Sequence, residues 1–125
     1  MAKSVLIADD NEVIRRMLCC LFDSQSDFEV CGAAENGQEA VEMAQLLQPD
    51  LIMLDLSMPV MNGIEAACTL KRLMPMTPLI VFSDFSDMFS ERRALATGVA
   101  TLVSKSESLS VLLEKARGVF QPRAA

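Results

Sequence analysis

Histidine is absent from the 125-residue sequence. Its absence excludes a Ser-His-Asp or Cys-His catalytic machine and any phosphohistidine on this chain, so chemistry must run on carboxylate, hydroxyl, lysine or a bound metal. Cysteine occurs four times, as Cys19, Cys20, Cys31 and Cys68, in no CxxC or Cys/His spacing. Most of these fall at apolar positions of expected elements and read as small buried hydrophobes in a reducing compartment. Basic charge is also short: 11 Lys and Arg against 17 Asp and Glu leave a net charge of −6, and the basic residues are scattered. Direct contact with nucleic acid or an anionic membrane is therefore not expected of this chain. No apolar run approaches the ~18 residues that a membrane-spanning helix requires, and there is no signal peptide. The expected location is cytoplasmic.

What the chain has in quantity is apolar surface: 51% hydrophobic residues, ample for one core in one domain. Short apolar runs alternate with helically spaced stretches. Val5 to Ala8 predicts a strand, followed by a helix from about Asn11 to Asp23 with Val13, Ile14, Met17, Leu18, Leu21 and Phe22 on one face. Phe28 to Ala33 predicts the second strand. Glu35-Asn36-Gly37 then turns into a helix bearing Ala40, Val41, Ala44 and Leu47, which Gln48-Pro49-Asp50 ends. Leu51 to Leu54 is the third strand, Gly63 opens a helix to about Leu73, and Leu79 to Phe82 is the fourth strand. A poorly amphipathic segment, roughly Ser86 to Thr97, stops at Gly98 in the position of a helix C-terminal cap. Ala100 to Val103 is the fifth strand, and Leu109, Leu112, Leu113, Ala116 and Phe120 mark the last helix. Such alternation implies an α/β fold, a parallel sheet with helices on both faces, because parallel strands need helical crossovers.

In such sheets ligands bind at the carboxyl ends of strands, and the polar residues gather there. Asp9 and Asp10 close the first apolar run, Asp55 the third, Ser83 the fourth, and Lys105 follows the fifth. An Asp after a strand is ordinary as a helix or turn starter, and Asp10-Asn11 fits that reading alone. It does not explain three carboxylates at two strand ends. Three clustered negative charges repel one another unless a cation neutralises them, and oxygen-only ligands favour Mg2+. Asp55 is then the candidate nucleophile for phosphoryl transfer, with Mg2+ held by Asp10 and Asp55 and, through water, by Asp9. Ser83 and Lys105 would each meet a phosphoryl oxygen. The bland alternatives are a turn-starting Ser83 and a solvated Lys105.

Taken together, Ala8-Asp9-Asp10-Asn11, Leu54-Asp55-Leu56-Ser57-Met58-Pro59, Met61-Asn62-Gly63, Ser83, Ala96-Thr97-Gly98 and Lys105 resemble the receiver domain of two-component response regulators. The resemblance covers essentially the whole chain. It implies a flavodoxin-like, doubly wound five-stranded sheet of order 2-1-3-4-5. It also implies phosphoryl transfer from the phosphohistidine of a sensor histidine kinase or phosphotransfer protein to Asp55, with Mg2+ bound by Asp9, Asp10, Asp55 and the backbone carbonyl of Ser57. A switch of this kind is not an enzyme beyond catalysing its own phosphoryl transfer and possible autodephosphorylation, and a phosphorylation-dependent homodimer is a possible readout. Ser104-Lys105-Ser106 resembles receivers of the LuxR/NarL type, which regulate transcription through a C-terminal helix-turn-helix. The expected division is a receiver domain over residues 1–121 and a tail or linker stump over 122–125.

Three positions depart from the commonest receiver pattern: Asp84 where a small residue is usual, Leu102 where an aromatic is usual, and Ser106 where proline is usual. Met58, Met61, Met74 and Met76 fit core filling and loop packing as well as a partner surface. Phe85, Met88 and Phe89 suit either a partner surface that changes on switching or buried packing. Two other classes compete. A Mg2+-dependent aspartyl-nucleophile phosphatase wants a carboxylate two residues after the nucleophile, where this chain has Ser57. A flavin- or nucleotide-binding electron carrier wants a Gly/Ser/Thr-rich phosphate loop after the first strand, where Asp9-Asp10 would repel the phosphate. A receiver that binds partners without phosphorylation is a third reading, kept open by Asp84 and Leu102.

Overall fold

In a computed structural model of the chain, described over residues 2–55, 63–83, 92, 96 and 98–120, the apolar runs become strands and the helically spaced stretches become helices. The elements are β1 (Lys3–Ala8), α1 (Glu12–Asp23), β2 (Phe28–Ala34), α2 (Gly37–Leu47), β3 (Leu51–Leu54), α3 (Gly63–Leu73), β4 (Leu79–Ser83), β5 (Thr101–Ser104) and, as the last helix, α4 (Leu109–Gly118). All strand pairs are parallel, in the order β2-β1-β3-β4-β5. This is the flavodoxin-like order, and β1 is the strand from which the chain departs to both sides.

Side-chain alternation along the strands divides the interior into two cores. Leu6, Ala8, Ile52, Leu54, Leu79 and Val81 face α2 and α3, where they meet Ala40, Ala44, Ala66 and Leu70. Val5, Ile7, Leu51, Met53, Ile80 and Phe82 face the other way, against Leu18, Phe22, Leu112 and Ala116 of α1 and α4. Because both faces are covered, the strands read as unbroken apolar runs rather than as alternating ones. Three helices start on side-chain caps: Asn11 Oδ1 accepts from the Ile14 amide, Asn36 Oδ1 from Glu39, and Ser108 Oγ from Val111. Gln48 ends α2 in the left-handed conformation, with φ 50°. Gly98 has φ 88°, as a helix C-terminal cap requires.

The structure narrows two expectations. Of the six residues assigned to the core face of α1, Leu18 and Phe22 are buried and Ile14 and Leu21 pack partly, whereas Val13 is 77% exposed and Met17 37%. The face that α1 presents to a single sheet is one stripe wide, and Val13 and Met17 lie beyond it. The cysteines are not buried: Cys20 and Cys68 are exposed, and Cys19 and Cys31 half-buried. Cys31 is the unpaired residue of a β-bulge, since the pairing of β1 with β2 jumps from Val5↔Val30 to Leu6↔Gly32. Met74 is buried and Met76 is 91% exposed, so core filling holds for the first and not the second. Met58, Met61, Asp84, Phe85, Met88, Phe89 and most of the expected helix at 86–97 lie outside the described residues. Among the described residues, no helix is long and apolar enough to cross a membrane.

Candidate functional site

Parallel strands end on one side of the sheet, and their register decides which ends meet. Ala8 pairs with Leu54 and Ser83 with Ser104, so the residues that follow are neighbours: the Asp55 amide donates to the Ala8 carbonyl at 2.9 Å, and the Lys105 amide to the Ser83 carbonyl at 3.0 Å. Asp9, Asp55 and Ser83 are the buried polar residues among those described, exposed by only 1%, 3% and 4%. Buried polar groups at adjacent strand ends must satisfy one another.

They do so through a small charged network. Ser83 Oγ donates to Asp55 Oδ1 at 3.1 Å. The Lys105 ammonium lies 3.3 Å from Asp9 Oδ2 and 3.5 Å from Asp55 Oδ1. Asp10 is exposed at the rim, and carboxylate oxygens of Asp9, Asp10 and Asp55 lie within 4.8 Å of one another. The Asn11 amide donates to Asp9 Oδ1 at 2.9 Å, closing a tight turn before α1. Asp9 Oδ2 is buried and accepts no directed hydrogen bond; the Lys105 ammonium is its ionic neighbour.

Among the described side chains that meet here, three carboxylates face one ammonium, which leaves their sum negative. The donors are all oxygen, and one buried carboxylate oxygen lacks a hydrogen bond. Those properties fit a hard divalent cation that keeps several of its waters. Of the expected site residues, the structure brings together Asp9, Asp10, Asp55, Ser83 and Lys105; Ser57 lies outside the described residues.

The sequence reading passed over Arg15. Its side chain is half-buried; the guanidinium donates through Nη1 to the Asp9 carbonyl at 3.0 Å, while Nη2 lies 3.8 Å from Glu35 Oε1. An arginine one turn inside a helix that starts at the acidic pair was the available signal. Ser106, where receivers usually carry proline, donates its amide to Ser104 Oγ at 3.2 Å, a bond that proline cannot make. The Lys115 ammonium ties this loop to α4, 3.3 Å from the Leu102 carbonyl and 3.5 Å from Glu107 Oε2.

The chain is similar in sequence and in fold to known proteins. Response regulator protein VraR of Staphylococcus epidermidis is 33% identical over 121 residues, 97% of this chain and 58% of VraR. Protein-glutamate methylesterase/protein-glutamine glutaminase 4 of Hahella chejuensis is 46% identical over 86 residues, 69% of this chain and 22% of that protein. The chain therefore spans less than two thirds of the length of either relative. Among solved structures, the response regulator domain of Thermotoga maritima CheB superposes with a TM-score of 0.88 at 34% identity, covering 98% of this chain and 100% of that one. A chain of the CheX-CheY-BeF3-Mg+2 complex of Borrelia burgdorferi gives 0.88 at 25% identity over 96% of this chain and 90% of that one. The model of the response regulator receiver domain matches residues 5–117, and the chain belongs to that family.

Proposed function

We propose that this receiver domain works as a phosphorylation-dependent signalling switch through Asp55, which accepts a phosphoryl group from the phosphohistidine of a sensor histidine kinase or phosphotransfer protein. The observation that carries the reading is the setting of Asp55: buried, at a strand end, beside Ser83 Oγ at 3.1 Å and the Lys105 ammonium at 3.5 Å, with two more carboxylates within 4.8 Å. A carboxylate oxygen of Asp55 attacks phosphorus, the P–N bond to the donor imidazole breaks, and the imidazole leaves with a proton. The product is an acyl phosphate on Asp55. Lys105 and Ser83 converge on Asp55 Oδ1, which supports a role for each in meeting a phosphoryl oxygen once the acyl phosphate forms. Asp9, Asp10, Asp55 and the carbonyl of Ser57 would hold Mg2+, which supplies charge neutralisation on the phosphoryl oxygens.

The reading extends to the organisation of the chain: residues 1–121 as the receiver, and 122–125 as a tail or the start of a linker. Readout is proposed through partner binding or phosphorylation-dependent homodimerisation in the cytoplasm, without direct contact of this chain with nucleic acid or membrane. The chain acts on no substrate beyond its own phosphoryl group. Ser57 stands where an aspartyl-nucleophile phosphatase needs an acid/base carboxylate.

The test is intact-mass measurement after incubation with acetyl phosphate and Mg2+. A phosphate mass increment should form, and should vanish with chelation or in Asp55→Asn. Phosphorylation that survives in Asp55→Asn refutes the assignment.

A further inference from the structure

Of the three clustered carboxylates, Asp10 is the one least held by the other described residues. It is exposed, and its side chain makes no hydrogen bond to the other described residues, so among them the backbone is what sets the point from which it projects. The Asp9–Asp10 peptide is planar and rigid, so whatever fixes the Asp9 carbonyl also fixes the amide and Cα of Asp10. Arg15 fixes it: Nη1 donates to that carbonyl at 3.0 Å, and the other guanidinium nitrogen reaches Glu35, beyond the end of β2, at 3.8 Å. On the far side, the Asn11 amide donates to Asp9 Oδ1 at 2.9 Å. The turn is thus clamped from both ends.

We infer that Arg15 is a positioning residue for the cation-binding carboxylates, holding the peptide plane from which Asp10 projects. This rests on the Mg2+ reading above and names a part of that site outside the ligand set. Arginine suits the task because its planar fork donates to a carbonyl while pairing ionically with a carboxylate on a different element, which a lysine ammonium does less well.

Electrostatics and positioning make opposite predictions here. A guanidinium beside a cation site repels the cation, so if its charge were all that mattered, removing it would tighten Mg2+ binding. If Arg15 holds Asp10 in place, removing it weakens binding. Loss of outer partners of metal ligands typically weakens metal affinity ~10–100-fold, and Arg15→Met is expected near ~10-fold. Arg15→Lys, with one donor able to reach the carbonyl, recovers part of that loss. Glu35→Gln, which leaves the Arg15 to Asp9 bond in place, costs less than Arg15→Met.

The experiment is a Mg2+ titration of the full chain and these variants, followed by calorimetry and by the backbone amide shifts of Asp10 and Asn11. Metal-free melting temperatures are measured alongside. Weakened affinity with perturbed Asp10 and Asn11 amides, partly rescued by Arg15→Lys, is the expected result. Arg15→Met that binds Mg2+ as well as or better than the unaltered chain overturns the inference, whether or not it melts earlier. If the unaltered chain itself fails to bind Mg2+, the cation reading fails and takes the inference with it.

Discussion

Neutralising Asp10 should stabilise the metal-free protein and cost it most of its response to Mg2+. The carboxylate oxygens of Asp9, Asp10 and Asp55 lie within 4.8 Å of one another. At that separation two unit charges repel by about 1 kcal/mol in a water-like dielectric and about 3 kcal/mol at an effective dielectric near 20. Asp10 is exposed, so screening favours the lower figure, and the nearby Lys105 ammonium offsets part of the total. Asp10→Asn should therefore release ~1–2 kcal/mol, raising the melting temperature of the metal-free chain by roughly 3–10 °C for a domain of this size. The substitution is clean because it removes no described hydrogen bond, unlike changes at Asp9 or Asp55. With Mg2+ at 100 times its Kd, the unaltered chain gains about 2.7 kcal/mol from binding to the folded state alone. The variant, short of one ligand, gains little, and the order of stabilities reverses. Thermal melts at low ionic strength, with and without Mg2+, check both halves, and 1 M salt should shrink the metal-free difference. A metal-free variant no more stable than the unaltered chain, or an equal Mg2+ gain in both, refutes the picture of a carboxylate cluster held against its own repulsion.

Two further outcomes follow from other parts of the molecule. The Arg117 guanidinium, bonded to Asp27 at 2.7 and 3.1 Å, holds that carboxyl below its ordinary range. A depressed folded-state pKa contributes stability that is present above the unfolded value of 3.8 and lost as pH falls through the folded one. The stability difference between the chain and Arg117→Met should thus be level above about pH 5 and close below about pH 4; a difference unchanged down to pH 3 would contradict it. Leu102 on β5 is half-buried against the core shared with α2 and α3, and it lacks both the bulk and the hydroxyl of the aromatic that receivers usually carry there. Phosphorylation should therefore shift the surface around β5 and α4 only partly. Sedimentation with and without beryllofluoride and Mg2+ should show weak self-association, and complete conversion to a tight dimer would transfer the switch to Phe85, Met88 or Phe89.

The described elements, and the described residues that meet at the strand ends, were legible in the order of residues, for a local reason. A strand buried on both faces must be an unbroken apolar run, so Val5 to Ala8 and Leu51 to Leu54 announce themselves, and the first polar residue after each marks a strand end. Asp9, Asp55, Ser83 and Lys105 could be picked out because each occupies that place, and parallel pairing puts all such places on one edge. Helix starts were equally local, since Asn11, Asn36 and Ser108 cap within three residues of themselves. Which strand ends touch was another matter: that Asp9 and Asp55 share one lysine at 3.3 and 3.5 Å follows from β1 lying beside β3, a pairing between residues more than forty positions apart. Exposure likewise depended on the partner surface. Helical periodicity sets the angle of Val13 and Cys20 around α1 but not how wide a stripe the sheet covers, so Val13 stands in solvent and Cys20 with it. The bulge at Cys31 depends on the register against β1. The role of Arg15 depends on where the Asp9 carbonyl turns and where Glu35 comes to rest, because a side chain that long reaches partners only the assembled fold brings near it.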